Sequence, residues 1–322
     1  MTASGPAPIN SQAPSGGPPG GSPFQRGVEW IFLGPNGIRA GWRMLIAYAL
    51  YRLILFLLLG ALNYVPFVRA WNQAQPPGIF TVGLLVQYEG LRALSLLATA
   101  LAMTFLEQRS FADYGLPGNE AFGKRFWQGV PYGFAMLTAL LAFIAALHGF
   151  SYGGWALGRA EAVKYGFLFL IGFILVAIFE EFAFRGYLQA TLASGIGFWP
   201  AAIILAFGFA AIHLQNGGEA AVGILSAGSF GLFAAFTLWR TGNIWFAVGM
   251  HAAWDWGETY FYSVPDSGQM AQGHLLNSSL SGPRWLAGGS VGPEGSVFVF
   301  VVLGLAAVGV HYLFPAKAKS FQ

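Results

Sequence analysis

Apolar segments long enough to cross a membrane recur along most of this chain, and they limit the fold more than any other feature. A helix needs about 20 consecutive apolar residues to span the hydrocarbon core of a bilayer. Only 9% of the 322 residues are charged, whereas soluble domains carry about 25%. We therefore predict an all-α membrane protein, a polytopic bundle of about eight transmembrane helices. The predicted spans lie near residues 44–62, 80–106, 126–150, 165–188, 198–213, 220–238, 244–264 and 296–314.

Both ends of the chain and one internal connection lack such apolar segments. Residues 1–27 are rich in Pro, Gly and Ser, a composition that cannot bury a core, so we predict a disordered tail there. Residues 28–315 form one predicted transmembrane domain, and 316–322 form a short cytoplasmic tail. The connection 265–295 is rich in Gly and Ser. We interpret it as a solvated loop, with a flap over the mouth of a site as the alternative.

Charge sets the expected orientation and excludes some classes of partner. With the N-terminus inside, most Lys and Arg residues between the spans fall on the cytoplasmic side, so we expect both termini in the cytoplasm. We expect the membrane to be a bacterial cytoplasmic membrane, with lipid as a partner. The net charge of +3 is too small to indicate nucleic acid, and the absence of cysteine excludes disulfides and cysteine nucleophiles.

Ionisable residues within spans are costly, which makes them functional candidates. In the second span, Glu89 and Arg92 are spaced to pair on one helical face. In the fourth span, Glu181 and Arg185 have the same capacity, and we assign them a structural ion pair. Glu180 points about 100° away from that face, which leaves it free to act as a general base. The alternative is a structural clamp in which Glu180 is spare.

Two later spans carry histidines. The fifth ends at His213, and a single histidine at a helix end is more often interfacial than catalytic. In the seventh, His251 and Asp255 are four residues apart and project from one face. Such a pair can ligate a metal, or can bind a water and an oxyanion together. Glu258, one turn beyond, could support this pair or face the mouth of the site.

These residues are expected to meet at one depth in the bundle. At about 1.5 Å per residue, Glu180 and His213 lie at similar distances from the turn near 194–197 that joins their helices. Asp255 lies at a comparable depth, counted from the turn before its own helix. A carboxylate, two imidazoles and a second carboxylate therefore converge, on the side of the bundle nearer the 265–295 connection.

Three segments together resemble the CAAX protease and bacteriocin-processing family of intramembrane endopeptidases. The family's motifs are Glu-Glu-x-x-x-Arg, Phe-x-x-x-His and His-x-x-x-Asn or Asp, and the matching segments lie within 164–262. The resemblance implies a base at Glu180 that His213 assists, an oxyanion or water site at His251 and Asp255, and support from neighbouring residues. The matching residues are Glu180, Glu181, Arg185, Phe209, His213, His251 and Asp255.

The resemblance implies an endopeptidase that hydrolyses a peptide bond of a membrane-associated protein or peptide, by water that Glu and His activate. In CAAX-type processing the substrate is prenylated. Asp255 stands where prenyl-processing members typically have Asn, which strengthens a metal site and weakens a neutral oxyanion donor. Two His and two carboxylates could bind one divalent metal, zinc first, or could work with water alone. That metal site would comprise Glu180, His213, His251 and Asp255.

Two other functions stay open at this point. One is a non-proteolytic membrane scaffold or bacteriocin-immunity protein that retains the fold. The other is a proton-coupled transporter that uses the carboxylates and histidines as a relay. The sequence has no pair of broken helices and no inverted repeat to support the transporter.

Overall fold

The chain folds into a bundle of helices, which confirms the predicted fold class. A computed structural model describes four stretches of the chain, and most of their residues are helical. The described residues are 23–34, 37–76, 81–215 and 221–315.

The predicted tails fall largely beyond these limits. Of the N-terminal tail predicted at 1–27, residues 1–22 lie outside the described part, and the remainder belongs to helix α1, which begins at Pro23. The C-terminal tail predicted at 316–322 lies entirely outside it.

The helices follow the apolar pattern closely. One π-helical turn, Phe182–Leu188, joins α6 to α7 without a break, and a second, Gly257–Phe261, follows α10. The helices are α1 Pro23–Phe32, α2 Ala40–Asn63, α3 Pro66–Gln73, α4 Val82–Glu107, α5 Lys124–Ala146, α6 Arg159–Glu181, α7 Gln189–Ile196, α8 Phe198–His213, α9 Ala221–Thr241, α10 Trp245–Trp256, α11 Arg284–Ala287 and α12 Phe298–Leu313.

Within the described residues, five helices are long and apolar enough to cross a membrane. They are α2, α4, α5, α9 and the continuous helix Arg159–Ile196. Helices α8 and α12 are apolar but have only 16 residues each, and α10 has 12. Each of the eight predicted segments thus contains a helix, and the membrane bundle is confirmed, whereas the count of eight spans is not.

Helix α10 lies in the interior of the bundle. Every residue from Trp245 to Asp255 is buried. A helix that is buried on all sides belongs where protein surrounds it, and even with the π-helical turn that continues it to Phe261 this helix reaches only the short end of the length that spans a bilayer. This helix is therefore positioned by its neighbours.

Glycines allow α10 to contact α5 backbone to backbone. A β-carbon at Gly133 would overlap the carbonyl oxygen of Met250, and one at Gly129 would overlap that of Phe246. Gly249 on α10 makes the reciprocal approach to the backbone of α5. Small residues spaced four apart bring membrane helices this close, so the position of α10 is set by these glycines.

A buried ion cluster joins α2, α4 and α7. Nη1 of Arg43 lies 2.7 Å from Oε2 of Glu107, and Nη2 donates to Oγ of Ser194 at 2.6 Å. The hydroxyl of Tyr187 donates to the other Glu107 oxygen at 2.8 Å. Because both charges are nearly fully buried, each needs these partners.

Two antiparallel ribbons accompany the helices. Strands β1 Leu33–Gly34 and β2 Gly37–Ile38 form the first, and β3 Phe150–Trp155 pairs with β4 Leu276–Leu280 in the second. Strand β4 lies within the 265–295 connection, which also buries Val291. The expectation of a solvated loop was therefore wrong, because that connection pairs and packs against the bundle.

Candidate active site

The end of α6 carries two adjacent carboxylates in different surroundings. The Glu181 side chain is fully buried, and its Oε1 lies 3.3 Å from Nη1 of Arg185, which confirms the predicted ion pair. Nε of Arg185 also donates to the carbonyl oxygen of Gly231 at 3.3 Å. The side chain of Glu180 is 14% exposed and takes no part in this pair. The two carboxylates thus separate as the helical spacing predicts.

Glu181 also orients His251, a contact that the sequence did not predict. Nδ1 of His251 lies 2.8 Å from the same Oε1 that faces Arg185. An ionised carboxylate only accepts hydrogen bonds, so Nδ1 carries the proton. The opposite ring nitrogen, Nε2, lies 3.4 Å from Oδ2 of Asp255 and 3.9 Å from Oε2 of Glu180. Three of the four predicted site residues therefore meet at one imidazole nitrogen.

His213 is linked to the other site residues through the aromatic ring of Phe209. Its Nδ1 lies 2.8 Å from the carbonyl oxygen of Phe209 in its own helix, and the two rings are 4.6 Å apart. The Phe209 ring lies 4.2 Å from the guanidinium of Arg185. In the part of the chain described, no hydrogen bond or ion pair joins His213 to the other predicted catalytic residues.

All four predicted residues line one cavity of about 830 Å³. The second-span pair is also in its wall, with Glu89 and Arg92 2.7 Å apart as predicted. The connection 265–295 contributes Asp266 and Glu294 to the same cavity. This places the cluster beside that connection, as the depth count predicted.

Residues 162–257 match the family model of Rce1-like proteins, described as type II CAAX prenyl endopeptidases. This confirms the resemblance that the motifs indicated. The Rce1-like match covers under a third of the chain, and it contains all three motifs and all four residues of the cavity cluster. Since the Rce1-like family is a protease family, the match supports a peptidase. No curated protein and no solved structure matched the chain.

A metal site requires ligand atoms that converge on one point. Within the described residues, the only group of three or more His, Asp or Glu side chains with ligand atoms within 4.8 Å of one another is Glu258, Asp266 and Glu294. The predicted quartet is not such a group. As placed, the ligand atoms of those four residues do not converge as a zinc site requires, although the bond from Nδ1 of His251 to Glu181 leaves Nε2 available as a ligand.

The acidic group at the cavity mouth was only partly visible in the sequence. Glu258 was a weak candidate, whereas Asp266 and Glu294 drew no prediction because they lie 28 residues apart in a Gly-rich connection. Burial and the neighbouring Glu294 carboxylate raise the pKa of Asp266 to about 8. In a chain with only 13 Asp and Glu residues, three that converge indicate a specific role.

Proposed function

We propose that this protein is an intramembrane endopeptidase, which hydrolyses a peptide bond of a membrane-associated protein or peptide. The observation that carries the proposal is the meeting of Glu180, Asp255 and His251 on the wall of one cavity. By similarity to the matched family, the proposed substrate is of the CAAX type and prenylated. The proposed setting is a bacterial cytoplasmic membrane with both termini in the cytoplasm.

Glu180 is the proposed general base. Its Oε2 lies 3.9 Å from Nε2 of His251, too far for a direct hydrogen bond. A water oxygen about 2.8 Å from each atom can contact both from the cavity side. Because no side chain of the described residues donates a direct hydrogen bond to the Glu180 carboxylate, that carboxylate is available to take a proton from the water.

His251 is the proposed oxyanion donor. Its Nδ1 proton is held by Glu181, so the ring cannot rotate away from the cavity without loss of that bond. With Nε2 also protonated, its single N–H would pass from the water to the carbonyl oxygen as the water bonds to carbon and negative charge develops on that oxygen. Asp255, 3.4 Å from Nε2, balances the charge and orients the ring.

In the proposed step, Glu180 takes one proton from water as the water oxygen bonds to the carbonyl carbon. The tetrahedral oxyanion then collapses, and the C–N bond breaks as Glu180 returns the proton to the leaving nitrogen. The products are a carboxylic acid and an amine, and the acid then loses its proton to the amine or to water. His213, held at the cavity wall beside Phe209, would assist by contact with the water or the leaving group.

The cavity supports a substrate with an apolar part. Leu55 on α2 and Leu85 and Leu96 on α4 line it along with the polar cluster. A peptide that carries a lipid chain can place that chain against these residues while its peptide bond meets Glu180. This arrangement favours a membrane-bound substrate over a soluble peptide.

Cleavage by the purified protein in lipid vesicles tests the proposal. We expect hydrolysis of a peptide with a prenylated cysteine near its C-terminus and slower hydrolysis of the unprenylated peptide. Glu180→Gln should lower kcat by about 10²-fold or more without a change in Tm. Glu161→Gln, at an exposed carboxylate in the first turn of α6, is the matched control. Cleavage that persists in Glu180→Gln would exclude this residue as the base.

Binding of zinc remains a prediction that rests on the residue types alone. The predicted ligands are Glu180, His213, His251 and Asp255. Because their ligand atoms do not converge, no step above passes through a metal. Elemental analysis of the wild-type protein and of His251→Ala tests it. One zinc per chain that is lost in the variant would support zinc, and activity that persists after exhaustive chelation would count against it.

A further inference from the structure

Three chain segments bring carboxylates together at the mouth of the cavity. Glu258 belongs to the π-helical turn after α10, Asp266 follows shortly in the 265–295 connection, and Glu294 lies near the end of that connection. The carboxylate oxygens that they offer lie within 4.8 Å of one another. Asp266 and Glu294 line the same cavity as Glu180 and His251, but neither belongs to that cluster.

Glu258 is the member that most needs a partner. Its side chain has no exposed surface, and neither carboxylate oxygen accepts a hydrogen bond from the described residues. The indole N–H of Trp254, one turn earlier, interacts with this carboxylate, but at a geometry short of a normal hydrogen bond. A buried carboxylate without partners is costly, and a cation in contact with it removes most of that cost.

The other two carboxylates are held in place by short hydroxyl contacts. Oγ1 of Thr259 donates to Oδ2 of Asp266 at 3.0 Å, and Oγ of Ser267 donates to Oε2 of Glu294 at 2.8 Å. Each hydroxyl supplies only one hydrogen bond. These contacts involve one oxygen of each carboxylate, Oδ2 of Asp266 and Oε2 of Glu294.

Backbone contacts fix the segments against each other. The N–H of Gly268 donates to the carbonyl oxygen of Val291 at 2.9 Å. Gly292 adopts φ of +104°, and a side chain there would overlap the carbonyl oxygen of Pro265. A β-carbon at the same position would also lie 3.2 Å from Oε1 of Glu258. The connection is thus held close over the buried carboxylate.

We propose that Glu258, Asp266 and Glu294 bind a divalent cation, calcium by preference, which clamps the 265–295 connection onto the end of α10. All three side chains supply oxygen, and oxygen ligands select hard cations such as Ca²⁺, Mg²⁺ and Mn²⁺ over zinc. Calcium accepts irregular coordination at 2.3–2.6 Å. Magnesium demands near-octahedral geometry. Three carboxylates on separate chain segments are less suited to that geometry than to the irregular coordination of calcium.

The cation would act on the cavity wall beside the proposed catalytic residues. Asp255 lies three residues before Glu258 on one continuous helix, and Asp266 and Glu294 line the cavity. A bound cation would therefore fix the end of α10 and the cavity wall together. Binding of the cation does not depend on the proposed proteolysis and can be measured without a substrate.

Calcium titration of the chelator-treated full-length protein tests this inference. In nanodiscs of phosphatidylcholine, which carries no net charge, we expect saturable calcium binding by calorimetry and a rise in Tm on addition of calcium. Terbium luminescence sensitised by Trp254 should appear and be displaced by calcium more readily than by magnesium. Glu258→Gln should raise the Kd by at least about tenfold and abolish the calcium-dependent rise in Tm.

The behaviour of Glu258→Gln in chelator separates a cation ligand from a structural residue. Removal of one charge from a crowded group should leave Tm equal to or above that of the wild type, whereas loss of a structural contact would lower it. Glu294→Gln and Asp266→Asn, at half-buried positions, should also weaken calcium binding. If Glu258→Gln does not fold, these two variants provide the test. Glu161→Gln should bind as the wild type does. Absence of saturable binding of calcium, magnesium and manganese to the wild type, or unchanged binding in all three variants, would overturn the inference.

Discussion

Helices α8 and α10 each bring a histidine to the same cavity, yet they hold it in different ways. Every residue of α10 from Trp245 to Asp255 is buried, and His251 is anchored to α6 through Glu181. Helix α8 exposes much of its length, and the Nδ1 of His213 contacts only its own backbone. One imidazole is thus fixed by tertiary structure and the other by its own helix.

The difference assigns the two histidines different tasks. A ring with one tautomer and one orientation suits the stabilisation of a charge that always forms in the same place. A half-buried ring whose hydrogen bond stays within its helix can adjust to a substrate or a leaving group. The Phe209 side chain connects the surroundings of the two histidines. It contacts His213, and it also contacts Arg185, which pairs with Glu181.

Glu181→Gln should have the largest effect on stability. It leaves Arg185 without a counter-charge in a fully buried position and weakens the acceptor for His251. Removal of one partner of a buried ion pair costs about 3–5 kcal/mol. We expect that loss in the free energy of unfolding, measured by denaturation in detergent, together with loss of cleavage.

Glu180→Gln is the matched control, one residue away and outside the ion pair. It should lose cleavage with little change in stability. If both variants were equally stable, Glu181 would not be the anchor of α10 and the comparison with α8 would fail.

Gly133→Ala should have the next largest effect, because a β-carbon there meets the backbone of α10 at Met250. Overpacking typically costs about 1–3 kcal/mol, and backbone cannot move aside as a side chain can. Gly304→Ala on α12 is the control, since nothing lies within 4 Å of its β-carbon position. That control should be neutral or stabilising by up to about 1 kcal/mol. Equal stability of the two variants would show that α10 is not positioned by these glycines.

Phe209→Leu should have a smaller effect on stability and a specific effect on activity. It removes the ring that contacts Arg185 and His213, and aromatic contacts of this kind contribute about 0.5–1.5 kcal/mol. We expect a partial loss of cleavage that is not additive with His213→Ala, measured in a double-mutant cycle. Full additivity would mean that Phe209 does not position His213.

His213→Ala should change stability least, by under about 0.5 kcal/mol, since its Nδ1 bonds only within α8. His251→Ala should lower stability as well as activity, because it leaves Glu181 with a single partner. Parallel unfolding and cleavage measurements on the two variants test this directly. Equal loss of stability would remove the distinction between α8 and α10.

Contacts within one helix were predictable from the sequence, and contacts between helices were not. The pairs Glu181–Arg185 and Glu89–Arg92 were expected because spacings of four and three residues place side chains on one helical face, and both are present. The bond from Glu181 to His251 spans 70 positions. Helical periodicity carries no information about which helices pack together, so that contact had no local signal.

The count of eight spans was not confirmed, for a related reason. Hydropathy does not distinguish a helix that faces lipid from one that is surrounded by protein, because both are apolar. The span predicted near 244–264 contains α10 and the π-helical turn after it, and α10 is buried from Trp245 to Asp255. The glycines at 129, 133 and 249 were the available signal, and their meaning depends on knowing that α5 and α10 are neighbours.

The glycine contact between α5 and α10 has a consequence for how a substrate enters. With no side chains between the two backbones, neither helix can slide or tilt alone, so they should move as one rigid body. We therefore expect any movement that admits a substrate to occur elsewhere in the bundle. Helix α2 is suited to that motion, since it lines the cavity yet buries only Arg43, Ala47 and Leu55.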